Sequence, residues 1–102
     1  MKRVLAVFLA ALLAPACLAQ DEEHGPYLVA TVRVLANGNA YLNIGAAYPN
    51  QTMTIFIPAA SASLFAPTTL RLKQIMVRGK IVTYKDKPEI VVTLPAQIRV
   101  LE

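Results

Sequence analysis

The chain has 102 residues, 56% of them apolar, with ten Lys and Arg against six Asp and Glu. That length permits one small domain at most. A single cysteine and a single histidine exclude a disulfide framework and leave little for a Cys/His catalytic pair or a metal centre.

The first residues set the compartment. Met1-Lys2-Arg3 is basic, Val4 to Leu13 is uncharged and apolar, and Ala14-Pro15-Ala16-Cys17-Leu18-Ala19 adds a helix breaker and small residues. This is the layout of a secretory signal peptide, whose apolar region spans about 7–15 residues. Pro15 ends the run short of the roughly 18 apolar residues that a membrane span needs. Small residues at −3 and −1 place cleavage after Ala19. A rival reading makes Cys17 the acylated residue of a lipoprotein. Ala14 and Pro15 stand where a lipobox holds an aliphatic and a small residue, which argues against it. The expected product is periplasmic or secreted, with no stable membrane insertion after cleavage.

Cleavage changes the charge. Lys2 and Arg3 leave with the signal, so eight cations face six acids, a net +2. Asp21, Glu22 and Glu23 fall in a flexible, acidic lead read as residues 20–26. From His24 onward eight cations face three acids, and seven of those eight lie after Leu70. A basic C-terminal half suits a polyanionic partner and suits a merely soluble surface equally.

The elements follow in order. Tyr27 to Leu35 is a first strand, rich in Val and Leu. Asn37-Gly38-Asn39 is a turn, since Asn and Gly accept positive φ at low cost. Tyr41 to Ile44 is a second strand, and Gly45 to Asn50 a loop. Thr52 to Ile57 is a third strand with β-branched enrichment. Pro58 to Phe65 suits a two-turn helix that starts at Pro58 and stops before Pro67. Leu72 to Thr83 is a long fourth strand. Glu89 to Leu94 is a fifth, and Ile98 to Leu101 extends the edge. Two alternating runs around Lys85-Asp86-Lys87 make the fourth and fifth strands a hairpin.

Five strands with one short helix between strands three and four predict an all-β domain, a small Greek-key OB-fold barrel over residues 27–102. Tyr41-Leu42-Asn43-Ile44-Gly45, Tyr48-Pro49-Asn50-Gln51, Gly79-Lys80-Ile81, Tyr84-Lys85-Asp86-Lys87-Pro88-Glu89-Ile90 and Gln97-Ile98 carry a family signature. The chain resembles the bacterial exported OB-fold nucleic-acid-binding family, with strands reading Y-L-N-F-G, Y-P-x-Q and Y-K-G-K-P-E-I. The resemblance covers nearly the whole chain after the signal. It implies an OB topology and a nucleic-acid ligand. Two departures stand out. No charged residue occurs from Gln51 to Leu70, and Leu72 occupies a place where that family often has a turn glycine.

Side chains alternate faces along a strand. Val32 and Val34 inward leave Arg33 outside. Leu42 and Ile44 inward leave Tyr41 and Asn43 outside. Met53, Ile55 and Ile57 inward leave Thr54 and Phe56 outside. Ile75, Val77 and Ile81 inward leave Arg78 and Lys80 outside. An OB-fold binds its ligand on the face of strands two and three, between the loop joining strands one and two and the loop joining strands four and five. Those loops hold Asn37 to Asn39 and Lys85 to Lys87. The candidate nucleic-acid-binding residues are therefore Arg33, Tyr41, Asn43, Phe56, Lys80, Lys85 and Lys87. Rings stack on bases, and cations neutralise phosphates. Each residue also has a plainer role. Tyr41 and Phe56 serve equally as cover for the barrel, Tyr48 as a loop anchor, and Lys85 and Lys87 as charges that guard a strand edge.

Catalysis has little support. His24, the single histidine, falls in the lead, and no glycine-rich phosphate loop is present. No cofactor or metal is expected. Two expectations result. One is a non-enzymatic exported binder of single-stranded nucleic acid or another polyanion. The other is a cell-envelope module that binds protein or glycan through the barrel or its uncharged helix side.

Overall fold

A computed structural model describes residues 22–101. The expected signal peptide, Cys17 and the start of the acidic lead lie outside the described residues. The elements are β1 (Glu23–Val34), β2 (Ala40–Ile44), β3 (Met53–Ile57), α1 (Ala59–Ala62), a 3-10 turn (Pro67–Leu70), β4 (Gln74–Arg78), β5 (Ile81–Tyr84), β6 (Lys87–Val91), a second 3-10 turn (Pro95–Gln97) and β7 (Ile98–Leu101). The fold is all-β: seven strands form one mixed sheet in the order β5-β6-β3-β2-β1-β4-β7. All pairs are antiparallel except β3 with β6. β5 and β7 end the sheet, which is not closed by a pairing between them.

β1 explains how one sheet can wrap. Its first half, Glu23 to Leu28, pairs with β4, and its second half, Val29 to Val34, pairs with β2. Register shifts fall between His24 and Tyr27 and between Val29 and Thr31. The first surrounds Gly25-Pro26. Pro26 has no N–H to give a ladder, and Gly25 sits at φ +127°, so the strand bends there. A Cβ on Gly25 would lie 2.8 Å from the Ile75 carbonyl oxygen, which explains the glycine. β1 therefore begins inside the segment expected to be a flexible lead. Glu23 meets Arg99 of β7 at 3.3 Å, and His24 Nε2 lies 3.0 Å from the Gly79 carbonyl oxygen. Backbone pairing with β4 is what orders these residues.

The expected fourth strand is divided. Gly79-Lys80 separates β4, which pairs with β1 and β7, from β5, which pairs with β6. The β5–β6 turn is as tight as expected. Lys85 and Asp86 have φ of 50° and 68°, the left-handed pair of a two-residue hairpin turn.

The core lies where alternation puts it. Leu42, Ile55, Ile57, Ile75, Ile90, Val29, Val77 and Val92 are fully buried. Each such side chain stabilises the fold by roughly 1.5–3 kcal/mol. Two expected inward positions are corrected. Val34 and Ile81 are 47% and 42% exposed. Val34 is the last residue of β1, and Ile81 is on the edge strand, so neither has sheet on both sides.

The helix is shorter than expected. α1 makes a single turn, and Ala62, Phe65 and Leu70 pack from this connection onto the core. Pro58 cannot cap it with a side chain, and Asn39 does so from the β1–β2 turn: Ala59 N–H donates to Asn39 Oδ1 at 2.7 Å. No helix among the described residues is long and apolar enough to cross a membrane.

Candidate functional site

The outward face of the sheet is assembled by register. Val82, Glu89, Thr54, Asn43 and Thr31 lie side by side across β5, β6, β3, β2 and β1. Two residues further along, Val91, Phe56, Tyr41 and Arg33 form the next row. Residues directly opposite on neighbouring strands share a face, so these rows are continuous. Within them Asn43 Nδ2 donates to Thr31 Oγ1 at 3.0 Å, and the Tyr41 and Phe56 rings meet at 5.1 Å between centroids, tilted by 42°.

The β2–β3 loop folds back over this face. Lys87, at the start of β6, holds it there. Its ammonium donates to the carbonyls of Pro49 at 2.7 Å and Gln51 at 3.1 Å. Gln51 Nε2 donates to Thr54 Oγ1 at 3.3 Å. This cover is why Asn43 is only 6% exposed although it points away from the apolar core.

Between the loop, the outward face and the β5–β6 hairpin lies a cleft of about 370 Å³. Arg33, Tyr41 and Asn43 line it, as do Lys85 and Lys87. Five of the seven expected residues thus share one cleft. Phe56 and Lys80 are not on its wall. Phe56 instead backs Tyr41, and Lys80 is exposed at the bend between β4 and β5.

Two expectations about the rim change. The Asn37-Gly38-Asn39 turn does not border the cleft. Asn39 is committed to α1, and Gly38 lies so close that a Cβ there would sit 3.0 Å from Ala59 Cβ. The β2–β3 loop takes that place, bringing Tyr48, which is both exposed and on the cleft wall. Lys87, expected as a phosphate contact, spends two of its three donors on loop carbonyls.

Sequence reasoning also missed Tyr84, Gln51, Thr54 and Glu89, all on the cleft wall. Alternation could have found Glu89, since it shares a face with Lys87. Nothing local marks Gln51, whose place depends on how the loop folds back.

The electrostatics are mixed but cationic. Arg33, Lys85 and Lys87 face one carboxyl, Glu89. Burial pushes the Glu89 carboxyl above its ordinary range. Lys85 sits 5.3 Å above the centroid of the neighbouring Tyr84 ring, within cation–π range. Three tyrosines, three cations and one carboxyl therefore surround a single opening. No group of His, Cys, Asp and Glu suited to a metal ion occurs among the described residues.

Neither family models, nor curated proteins, nor solved structures contain a match to this chain.

Proposed function

We propose that this is a non-enzymatic, exported binding protein that holds single-stranded nucleic acid or another polyanion in the cleft between the β2–β3 loop and the β5–β6 hairpin. The observation that carries the reading is the composition of that one cleft. Tyr41, Tyr48 and Tyr84 offer rings, and Arg33, Lys85 and Lys87 surround them with positive charge. Rings without cations suit apolar ligands, and cations without rings suit any anion. Interleaved, they match a strand that alternates flat bases with phosphates.

The strand order supports an OB-type barrel. If β4 and β5 are counted as one strand bent at Gly79-Lys80, the neighbours run β1, β2, β3, β6, then the bent strand, which returns to β1. The parallel contact between β3 and β6 belongs to that arrangement. In an OB barrel the face of the second and third strands carries the ligand, and Tyr41 and Asn43 stand on that face here.

Fluorescence anisotropy with a labelled single-stranded oligonucleotide, across a salt series, tests the reading. The expected result is sequence-tolerant binding whose affinity falls steadily with salt. An oligonucleotide that fails to bind at low salt, or binds without regard to salt, sinks it. A second reading, an envelope module for protein or glycan, draws on Leu64, which is exposed on the uncharged helix side. One stoichiometric protein recovered from envelope extract, with no oligonucleotide binding, would favour it.

A further inference from the structure

The cations explain how the cleft would attract a strand but not how it would treat different bases. The hydrogen-bonding groups on its floor bear on that. Asn43 donates one of its two amide N–H groups to Thr31, and Gln51 one of its own to Thr54. The oxygens of both amides are left over as acceptors. No partner is found for Asn43 Oδ1 among the described residues, and Gln51 Oε1 is buried without one. Glu89, one strand beyond Thr54 in the same row, adds a half-buried carboxyl that has no hydrogen bond or ion pair among the described residues. Glu89 and the Asn43 oxygen therefore put acceptors on the floor of a cleft whose rim presents cations.

An anion alone satisfies the rim and is repelled by the floor. A cation does the reverse. A ligand that satisfies both carries negative charge at one end and N–H donors at the other. Resting on the nucleic-acid reading above, we infer that the cleft prefers single strands whose bases carry an exocyclic amino group, such as cytosine and adenine, over thymine. The amino group meets Glu89 and Asn43, while the phosphates meet Arg33 and Lys85. A carboxylate accepts from the cytosine amino group, and an amide oxygen accepts from that of adenine. Thymine offers a carbonyl oxygen at the corresponding place, and its one donor, N3–H, lies between two carbonyl oxygens that a carboxylate repels.

Glu89 is the discriminating residue in this account. It lowers affinity for every strand by opposing the phosphates and restores it for bases that carry an amino group. Glu89→Gln removes the opposing charge and supplies an amide donor that thymine can use.

The test is anisotropy of the purified protein with single-stranded homopolymers of deoxycytidine, deoxyadenosine and deoxythymidine of equal length, at neutral pH and low salt, with inorganic polyphosphate as a base-free competitor. The expected result is that the cytosine and adenine strands bind about fivefold or more tightly than the thymine strand. In Glu89→Gln, with its circular dichroism unchanged, thymine binding strengthens and the ratio falls towards one. Equal affinity for the cytosine and thymine strands overturns the inference, as does a ratio indifferent to Glu89→Gln. Polyphosphate competing as well as the cytosine strand overturns it too but leaves a polyanion-binding cleft standing. Failure of every strand to bind removes the nucleic-acid reading itself.

Discussion

The Lys87 ammonium lies 2.7 Å from the carbonyl oxygen of Pro49, and this contact ties the β2–β3 loop to the first residue of β6. A second bond from the same ammonium reaches the Gln51 carbonyl. One side chain thus fixes the wall that carries Tyr48 against the wall that carries Tyr84.

Lys87→Ala is expected to destabilise the protein by about 1–2 kcal/mol, since two charge-assisted bonds at a half-buried position are lost. Amide exchange should quicken in the β2–β3 loop while the β2 and β3 ladders stay protected. Urea denaturation together with residue-resolved hydrogen exchange measures both. Unchanged exchange at residues 45–52 would show that the loop holds itself in place.

Arg33 and Lys85 are exposed on the cleft wall and form no ion pair among the described residues. Arg33→Ala and Lys85→Ala should each weaken oligonucleotide binding and lower the slope of log affinity against log salt by about 0.7, the value for one phosphate on a single strand. Stability should barely move. A slope that matches the wild-type protein in both variants would remove them from the interface.

Tyr84 is the cleaner probe of stacking, because Tyr41 also supports Phe56. Tyr84→Ala is expected to cost roughly 1–3 kcal/mol of binding, and Tyr84→Phe almost none, since the ring and not the hydroxyl meets the base. Titration calorimetry of the two variants separates these outcomes. Equal losses in both would point to a hydrogen bond from the phenol instead.

Leu72 has φ +65° and is 61% exposed. Its N–H donates to the Val29 carbonyl at 2.7 Å, which holds the strained backbone in place. A leucine in the left-handed region costs roughly 1–2 kcal/mol relative to a residue without a Cβ. Leu72→Gly should therefore raise stability by about 1 kcal/mol, after the extra freedom of glycine in the unfolded chain is subtracted. Thermal melts suffice to check it, and a lower melting temperature would show that the exposed leucine has a packing role.

Glu89 should leave a signature in the pH dependence of stability. Burial raises its pKa in the folded protein above its unfolded value. The folded state then binds the proton more tightly, so ionisation opposes folding. This contribution favours the folded state fully below the unfolded pKa and is lost as pH rises through the folded one. Glu89→Gln should thus match the wild-type protein in strongly acidic solution and melt higher than it at neutral pH. A melting difference that does not change with pH would indicate that the carboxyl is well solvated.

Much of the fold is legible in the chain because strand alternation is a local property. Leu42, Ile44, Met53, Ile55, Ile57, Ile75 and Val77 are placed inward by counting in twos, and all are buried. The hairpin at Lys85-Asp86 is equally local, since a two-residue turn needs only its own backbone angles. Counting fails where neighbours are missing, as at Val34 and Ile81. It fails also at Gly79-Lys80, where one apolar run serves two different partners.

The cleft is a different matter. Arg33, Tyr41 and Asn43 could be named because they stand on the outward side of local strands. Tyr48, Gln51 and Glu89 reach the same opening only through the return of the β2–β3 loop and the parallel pairing of β3 with β6. Lys87 could be named as a cation but not as a clamp, because its two carbonyl partners lie 38 and 36 residues away. The sequence by itself determined the β class, the inward set away from strand ends and edges, and the cationic hairpin, each set by neighbours within a few positions. Only the tertiary structure decided which loop walls the cleft, which lysine keeps its donors free, and which amide oxygens are left without a donor. Those outcomes turn on hydrogen bonds between segments that meet only after the sheet has formed.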